Sequence, residues 1–268
     1  MFLAILLIFV PYLTDDFFDL RQEKENELLL AEQKKREEMA KRIEEERKLK
    51  IYLTGNFDPE KRIDFILVPK EHNIAGYNIY LREEALNAFL EMADRALMDG
   101  IKLNITSGTR NFDYQKELWN KKWTGATLVE GKDLSKKIPD GLERFKKILE
   151  YSAPPATSRH HWGTEIDISS VNPKFFETEE GQKVFMWLST NAPLFGFCQT
   201  YNEKGDLRPT GYNEEKWHWS YLPLARGFTE EYKKLIKKED IKGFDGDEYV
   251  KDLDLIENYV LGINPDCL

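Results

Sequence analysis

Apolar and polar positions along the chain fall into three regimes with abrupt boundaries. Residues 1–14 open with MFLAILLIFVPYL, an almost unbroken apolar run. That run is too short for a comfortable membrane span, which takes about 20 residues. It suits the apolar part of an export signal, although no basic residue precedes it and no Ala-x-Ala cleavage site follows. A cleaved signal, an uncleaved membrane anchor and a buried N-terminal helix are all compatible with the pattern; export is the favoured reading.

Residues 15–50 read as a charged helical stalk. From Glu23 to Lys50 the chain is dominated by Glu, Lys and Arg and contains no Gly or Pro. Glu32–Arg36, Glu37–Lys41, Glu38–Arg42, Glu44–Lys48 and Glu46–Lys50 stand in the i,i+4 order that supports an isolated helix. Apolar residues are sparse and form no a/d seam, so a solvated spacer is predicted rather than a strong coiled coil.

From residue 51 to 268 the periodicity is that of a folded domain. Leu86, Phe89, Leu90, Ala93 and Leu97 recur at helical spacing, with Gly100 where a C-terminal stop belongs. Residues 101–106 alternate as a short strand. Helices are predicted at 111–123 and 141–151, the second ended by Pro154-Pro155. Strands follow at 164–168 and 217–221, a helix at 178–188, and two helices near 229–238 and 247–259. Helices and short strands mix without a βαβ repeat. The prediction is therefore α+β, a small mixed or antiparallel sheet flanked by helices and preceded by the stalk.

Composition sharpens this picture in three places. Hydrophobic residues are 41% of 268 and aromatics 13%, enough for a sizeable core. The net charge of -9 argues against a nucleic-acid partner, which needs a basic face. Only two cysteines occur, Cys198 and Cys267, and they form no Cys-x-x-Cys, which excludes a thiolate zinc site. They can pair in an oxidising compartment, or stand as a buried thiol and a tail thiol.

Three of the four histidines lie in two dense segments, SRHHWGTEID at 158–167 and EKWH at 215–218. Two neutral imidazoles and one carboxylate, His160, Asp167 and His218, would satisfy three positions of a tetrahedral zinc and leave one for water. Glu215, three residues before His218, suits a general base that is not itself a ligand. On an ideal strand those two would face opposite ways, so Glu215 is expected in a turn entering the strand of His218. His161 is read as a packing residue, His72 as exposed, and the tryptophans around the ligands mainly as core.

These segments resemble the D-alanyl-D-alanine carboxypeptidase family of zinc peptidases, the VanY-like branch. That family shows Ser-x-His-x-x-Gly-x-x-x-Asp and Glu-x-x-His, preceded by Ser-Gly-x-Arg and a Gln; here the earlier element reads Ser107-Gly108-Thr109-Arg110 with Gln115. The resemblance spans residues 107–218 and implies Zn²⁺ on His160, Asp167 and His218, with Glu215 as base. It also implies Arg110 in the substrate pocket and Ser158 and Gln115 around the peptide.

Two positions depart from the family pattern. Glu165 stands where a small residue is usual, and Ser220 where an arginine is frequent. Glu165 is expected in the pocket, among the substrate-binding residues, or behind the metal. The implied partners are peptidoglycan stem peptides, and the implied location is the periplasm or cell envelope, with membrane association through residues 1–14. A tethered binder without catalysis and a wall endopeptidase or lysin are the alternatives.

Overall fold

The computed structural model describes the backbone of residues 6–268 and side chains from Leu20 onward. The expectation for residues 1–14 turns on side chains that lie outside the described residues. Among the described residues, no helix is long and apolar enough to cross a membrane. The chain divides into two compact units, Met1–Leu49 and Lys50–Leu268.

The first unit is carried by α1 (Leu6–Leu53), which continues into the second. Its exposed side chains pair along the helix. Glu32–Arg36 and Glu44–Lys48 form at 3.7 Å, but Lys41 and Arg42 turn towards Glu45 and Glu46 rather than Glu37 and Glu38. Exposed i,i+4 pairs contribute only about 0.3–0.5 kcal/mol, so the choice between neighbours costs little.

In the second unit β1 (Phe65–Leu67) and β2 (Tyr80–Arg82) form a two-stranded antiparallel ribbon, followed by α2 (Glu83–Met98). Then come β3 (Ile105–Ser107), α3 (Phe112–Trp123), α4 (Leu134–Lys137) and α5 (Gly141–Leu149). The chain continues through β4 (Glu165–Ile168), α6 (Glu179–Asn191), β5 (Phe197–Gln199), β6 (His218–Tyr221) and α7 (Leu222–Leu235). The four-stranded sheet runs β3-β4-β6-β5, antiparallel throughout. The α+β expectation holds.

Local chemistry sets the helix starts. Asn111 caps α3 by accepting from the Tyr114 N–H (2.9 Å), and Thr178 caps α6 by accepting from Gly181 (3.1 Å). The sheet obeys the period of two. Ile166 and Ile168 of β4 and Trp219 and Tyr221 of β6 join the core beneath α2 and α6, with Phe89, Met92, Val184 and Leu188. Glu165, Asp167, His218 and Ser220 occupy the other face.

Some sequence expectations are displaced. The strand expected over 101–106 is displaced to β3 at 105–107, whose pairing with β4 carries a register shift between Ile105 and Ser107. The helix expected at 229–238 begins at Leu222, where Pro223 suits the first turn. The one expected at 247–259 is a 3₁₀ stretch, Asp247–Asp252, followed by a single π turn, Ile256–Val260. His72 is half-buried, edge-on to Phe89 at 5.7 Å, and not exposed.

The two cysteines are paired. The Cys198–Cys267 disulfide joins β5 to the C-terminal turn across 69 residues of sequence, a closure that stabilises by about 4 kcal/mol on the chain-entropy account. Asn264 adds bonds to β5 and the residue after it, donating its backbone N–H to Thr200 O (2.9 Å) and its side-chain amide to Gln199 O (3.1 Å). The end of the edge strand β5 is thereby tied to the C-terminal turn.

Candidate metal centre

Strand register creates the first half of the site. Asp167 of β4 and His218 of β6 are directly opposed Cα partners, so their side chains emerge side by side. His160 arrives from the 3₁₀ turn Arg159–Trp162 that leads into β4. That turn ends at Gly163 in the left-handed region (φ 76°), where an added Cβ would lie 2.4 Å from the Phe65 ring. Glycine is required there on both counts.

The three side chains converge. One ligand atom from each of His160, Asp167 and His218 lies within 4.8 Å of the others, and all three residues are buried. His160 Nε2 and His218 Nδ1 each stand 3.4 Å from Asp167 Oδ1. His160 Nε2 and Asp167 Oδ1 have no hydrogen-bond partner despite complete burial. Buried polar atoms are nearly always satisfied, and two orphans aimed at one point fit a cation with nitrogen and oxygen ligands.

The outer ring atoms prepare the inner ones. His160 Nδ1 donates to Gly108 O (2.7 Å), leaving the Nε2 lone pair for the centre. Gly108 must be small, since a Cβ would meet Ile79 at 2.5 Å. Burial, reinforced by the Arg110 charge, lowers His160 to about 4, so the ring is neutral. Burial favours a protonated Asp167, but His160 and Arg110 outweigh it and hold the carboxyl below its usual range. His218 behaves differently. Burial favours its neutral form, yet hydrogen bonds to Glu165 and Glu215 and the charge of Asp167 raise it to about 9.

Glu215 lies in the turn entering β6, as the spacing predicts, with Oε2 3.2 Å from His218 Nδ1. Arg110 is held on three sides, donating to Ser107 Oγ, Gln115 Oε1 and Asp167 Oδ2, each at 3.1 Å. Arg110, Ser158 and Glu215 line one cavity of about 610 Å³ with His160, Asp167 and His218. Gln115 does not line it. Fully buried, it donates to Ala153 O (2.7 Å) and accepts from Arg110, so it braces the guanidinium instead of reaching a peptide.

His161 is satisfied on both nitrogens. Nδ1 donates to Arg110 O (2.6 Å), and Nε2 accepts from the Ala156 N–H (3.2 Å). It packs against the backbone and offers nothing to a metal. Trp162 and Trp219 are buried in the interior, whereas Trp217 lines the cavity.

Comparison with known proteins adds one decisive observation: residues 78–224, more than half of the chain, match the family model of VanY, D-alanyl-D-alanine carboxypeptidase. The chain belongs to the VanY family. The matched residues carry all of the motif positions above. A D-alanyl-D-alanine carboxypeptidase of Enterococcus faecalis is 26% identical over 176 residues, covering 62% of this chain and 60% of that protein. YodJ of Bacillus subtilis strain 168, provisionally named a carboxypeptidase, is 29% identical over 179 residues, covering 63% of this chain and 56% of its own. The chain thus spans less than two thirds of these relatives. Among solved structures, the LD-carboxypeptidase LdcB is 26% identical with a TM-score of 0.47, covering 68% of this chain and 81% of that one.

The two departures from the VanY pattern turn out to be partners. Glu165 and Ser220 are opposed in register, and Ser220 Oγ donates to Glu165 Oε1 at 2.6 Å. Glu165 is not a pocket residue. It is completely buried beneath the site, accepting from His218 Nε2 (2.8 Å), Thr200 Oγ1 (3.1 Å) and Arg159 Nε (3.3 Å). Burial would neutralise it, but the Arg159 charge and the His218 bond dominate and lower it to about 2. Arg159, Thr200 and the buried Tyr201, edge-on to His218 at 4.8 Å, are parts of the site that sequence reasoning missed. Arg159 had a visible signal in its place beside His160, but nothing in the sequence showed its burial.

Proposed function

We propose that this protein is a zinc-dependent carboxypeptidase that hydrolyses D-amino-acid-containing peptide stems of peptidoglycan outside the cytoplasmic membrane. The observation that carries the reading is the pair of orphaned, buried ligand atoms on His160 and Asp167, with His218 Nδ1 alongside. Family membership supports the reaction class. The disulfide supports an oxidising compartment, consistent with export through residues 1–14 and a stalk at 15–50 that spaces the domain 51–268 from the envelope.

His160 through Nε2, Asp167 through Oδ1 and His218 through Nδ1 would hold the ion. Zinc in such a site supplies a Lewis acid that polarises a carbonyl and lowers the pKa of a water to about 7. The chain's own residues do the rest. Glu215 takes the proton of the attacking water and delivers it to the leaving amine. Arg110, fixed by Ser107, Gln115 and Asp167, presents positive charge to a substrate carboxylate or to charge developing at the scissile carbonyl. Glu165 holds the Nε2–H of His218, keeping Nδ1 as its ligand atom. Ser158 offers a hydroxyl to the peptide.

The test is product analysis by mass spectrometry on defined tripeptide, tetrapeptide and pentapeptide stems, with protein carrying about one zinc per chain. Release of a single terminal residue is expected, and the stem that is shortened distinguishes D,D from L,D cleavage. Muropeptide binding without any hydrolysis by zinc-replete protein would replace this reading with that of a tethered binder.

Metal uptake should depend on pH in a defined direction. In the metal-free chain His218 carries a proton up to about pH 9, whereas His160 is neutral and Asp167 ionised at pH 7. Binding therefore expels one proton, and apparent zinc affinity should fall about tenfold per pH unit below 9. Competition with a chromophoric chelator at pH 6, 7 and 8 measures this slope; a flat response contradicts it.

A further inference from the structure

Lys122, near the end of α3, is half-buried and lines the same cavity as Arg110, His160 and Glu215. Its ammonium donates to the Ser152 hydroxyl at 2.9 Å, and among the described residues no carboxylate lies within ion-pair distance of it. Ser152 adjoins Ala153, whose carbonyl accepts from Gln115; Gln115 accepts from Arg110, and Arg110 donates to Asp167. The ammonium thus stands on the same wall of the cavity, one peptide link from the hydrogen-bonded set that ends at the metal-site carboxylate.

Withdrawing an ammonium from water without a counter-ion is costly. Burial, with the Arg110 charge, lowers Lys122 to about 8 against the opposing pull of Glu215, so at neutral pH it remains mainly charged. A neutral serine is poor compensation, and a hydrophobic residue of similar length would satisfy the fold better. The arrangement is explained if the missing negative charge arrives with the ligand.

We propose that Lys122 and Ser152 form a carboxylate subsite that reads an acidic group of the substrate. This rests on the peptidase reading and narrows it: beside the C-terminal carboxylate common to all carboxypeptidase substrates, which Arg110 can take, the stem presents an acidic side chain to Lys122.

The experiment uses the full chain, zinc-loaded and carrying Glu215→Ala, so that binding is read without turnover. Three stem peptides are compared, namely the free acid, its C-terminal amide and its side-chain amide. The side-chain amide should bind roughly 10- to 100-fold more weakly than the acid, and a penalty confined to the C-terminal amide overturns the subsite. Adding Lys122→Met should cost the acid a similar factor and abolish the penalty of the side-chain amide, a non-additive pair. Lys122→Arg should keep most of the preference. The Tm of Lys122→Met should hold or rise, because a stranded charge is removed.

An undiminished side-chain amide penalty in Lys122→Met, unchanged affinity for all three peptides, or a Tm lower by several degrees would each overturn the subsite. Wild-type turnover of the acid peptide is measured in parallel. Intact turnover with a flat Lys122 response sinks the subsite alone, whereas neither binding nor turnover sinks the peptidase reading as well.

Discussion

Glu215→Ala protein is expected to carry zinc as the wild type does and to lose about 10²- to 10⁴-fold in kcat, the range typical of a removed general acid–base. Glu215 stands outside the convergent triad. Its carboxylate faces the cavity, with the side chain 17% exposed, while its backbone N–H donates to Tyr201 O at 2.9 Å. Truncation therefore leaves the turn and β6 in place and removes only the proton carrier. Metal analysis beside steady-state kinetics separates the outcomes. Loss of zinc would make Glu215 a ligand, and retained turnover would make another group the base.

Glu165→Ala should damage the protein in two separable ways. Arg159 is 1% exposed and stacks over Trp162, and Glu165 is its ion-pair partner at 3.3 Å. Removing that carboxylate strands a buried charge, at a cost of about 3–5 kcal/mol. It also frees His218 Nε2, and loss of such a support lowers metal affinity by about 10- to 100-fold. The double variant Glu165→Ala/Arg159→Met removes both charges, so it should recover most of the stability while zinc affinity stays low. Chemical denaturation and chelator competition read the two effects. Recovery of both together would mean that Glu165 acts on the metal only through the fold.

Much of this centre was legible because its chemistry is compressed into short segments. His160, Asp167 and Glu215–His218 sit in patterns whose spacing alone suggests nitrogen and oxygen ligands with a nearby base. Gly163 marks the turn that makes the first segment fold back. What escaped was contact between segments. Glu165 and Ser220 each look like isolated departures 55 residues apart, and only strand register joins them. Gln115 has the composition of a substrate contact, yet burial commits both ends of its amide to Arg110 and Ala153. Lys122 sits in an ordinary Lys-Lys pair, and nothing in the sequence separates the one that lines the cavity from its exposed neighbour Lys121. β1, β2 and β5 are three residues each, too short to show a period.

The opposition of Asp167 and His218 across β4 and β6 also makes the ligand set a check on folding. A slip by one residue would bring Trp219 to the wet side and drive His218 into the apolar layer with Ile166. A mispaired chain would thus forfeit its ion and expose an indole together. Zinc content in a purified sample therefore doubles as an assay of correct strand alignment, before any substrate is added.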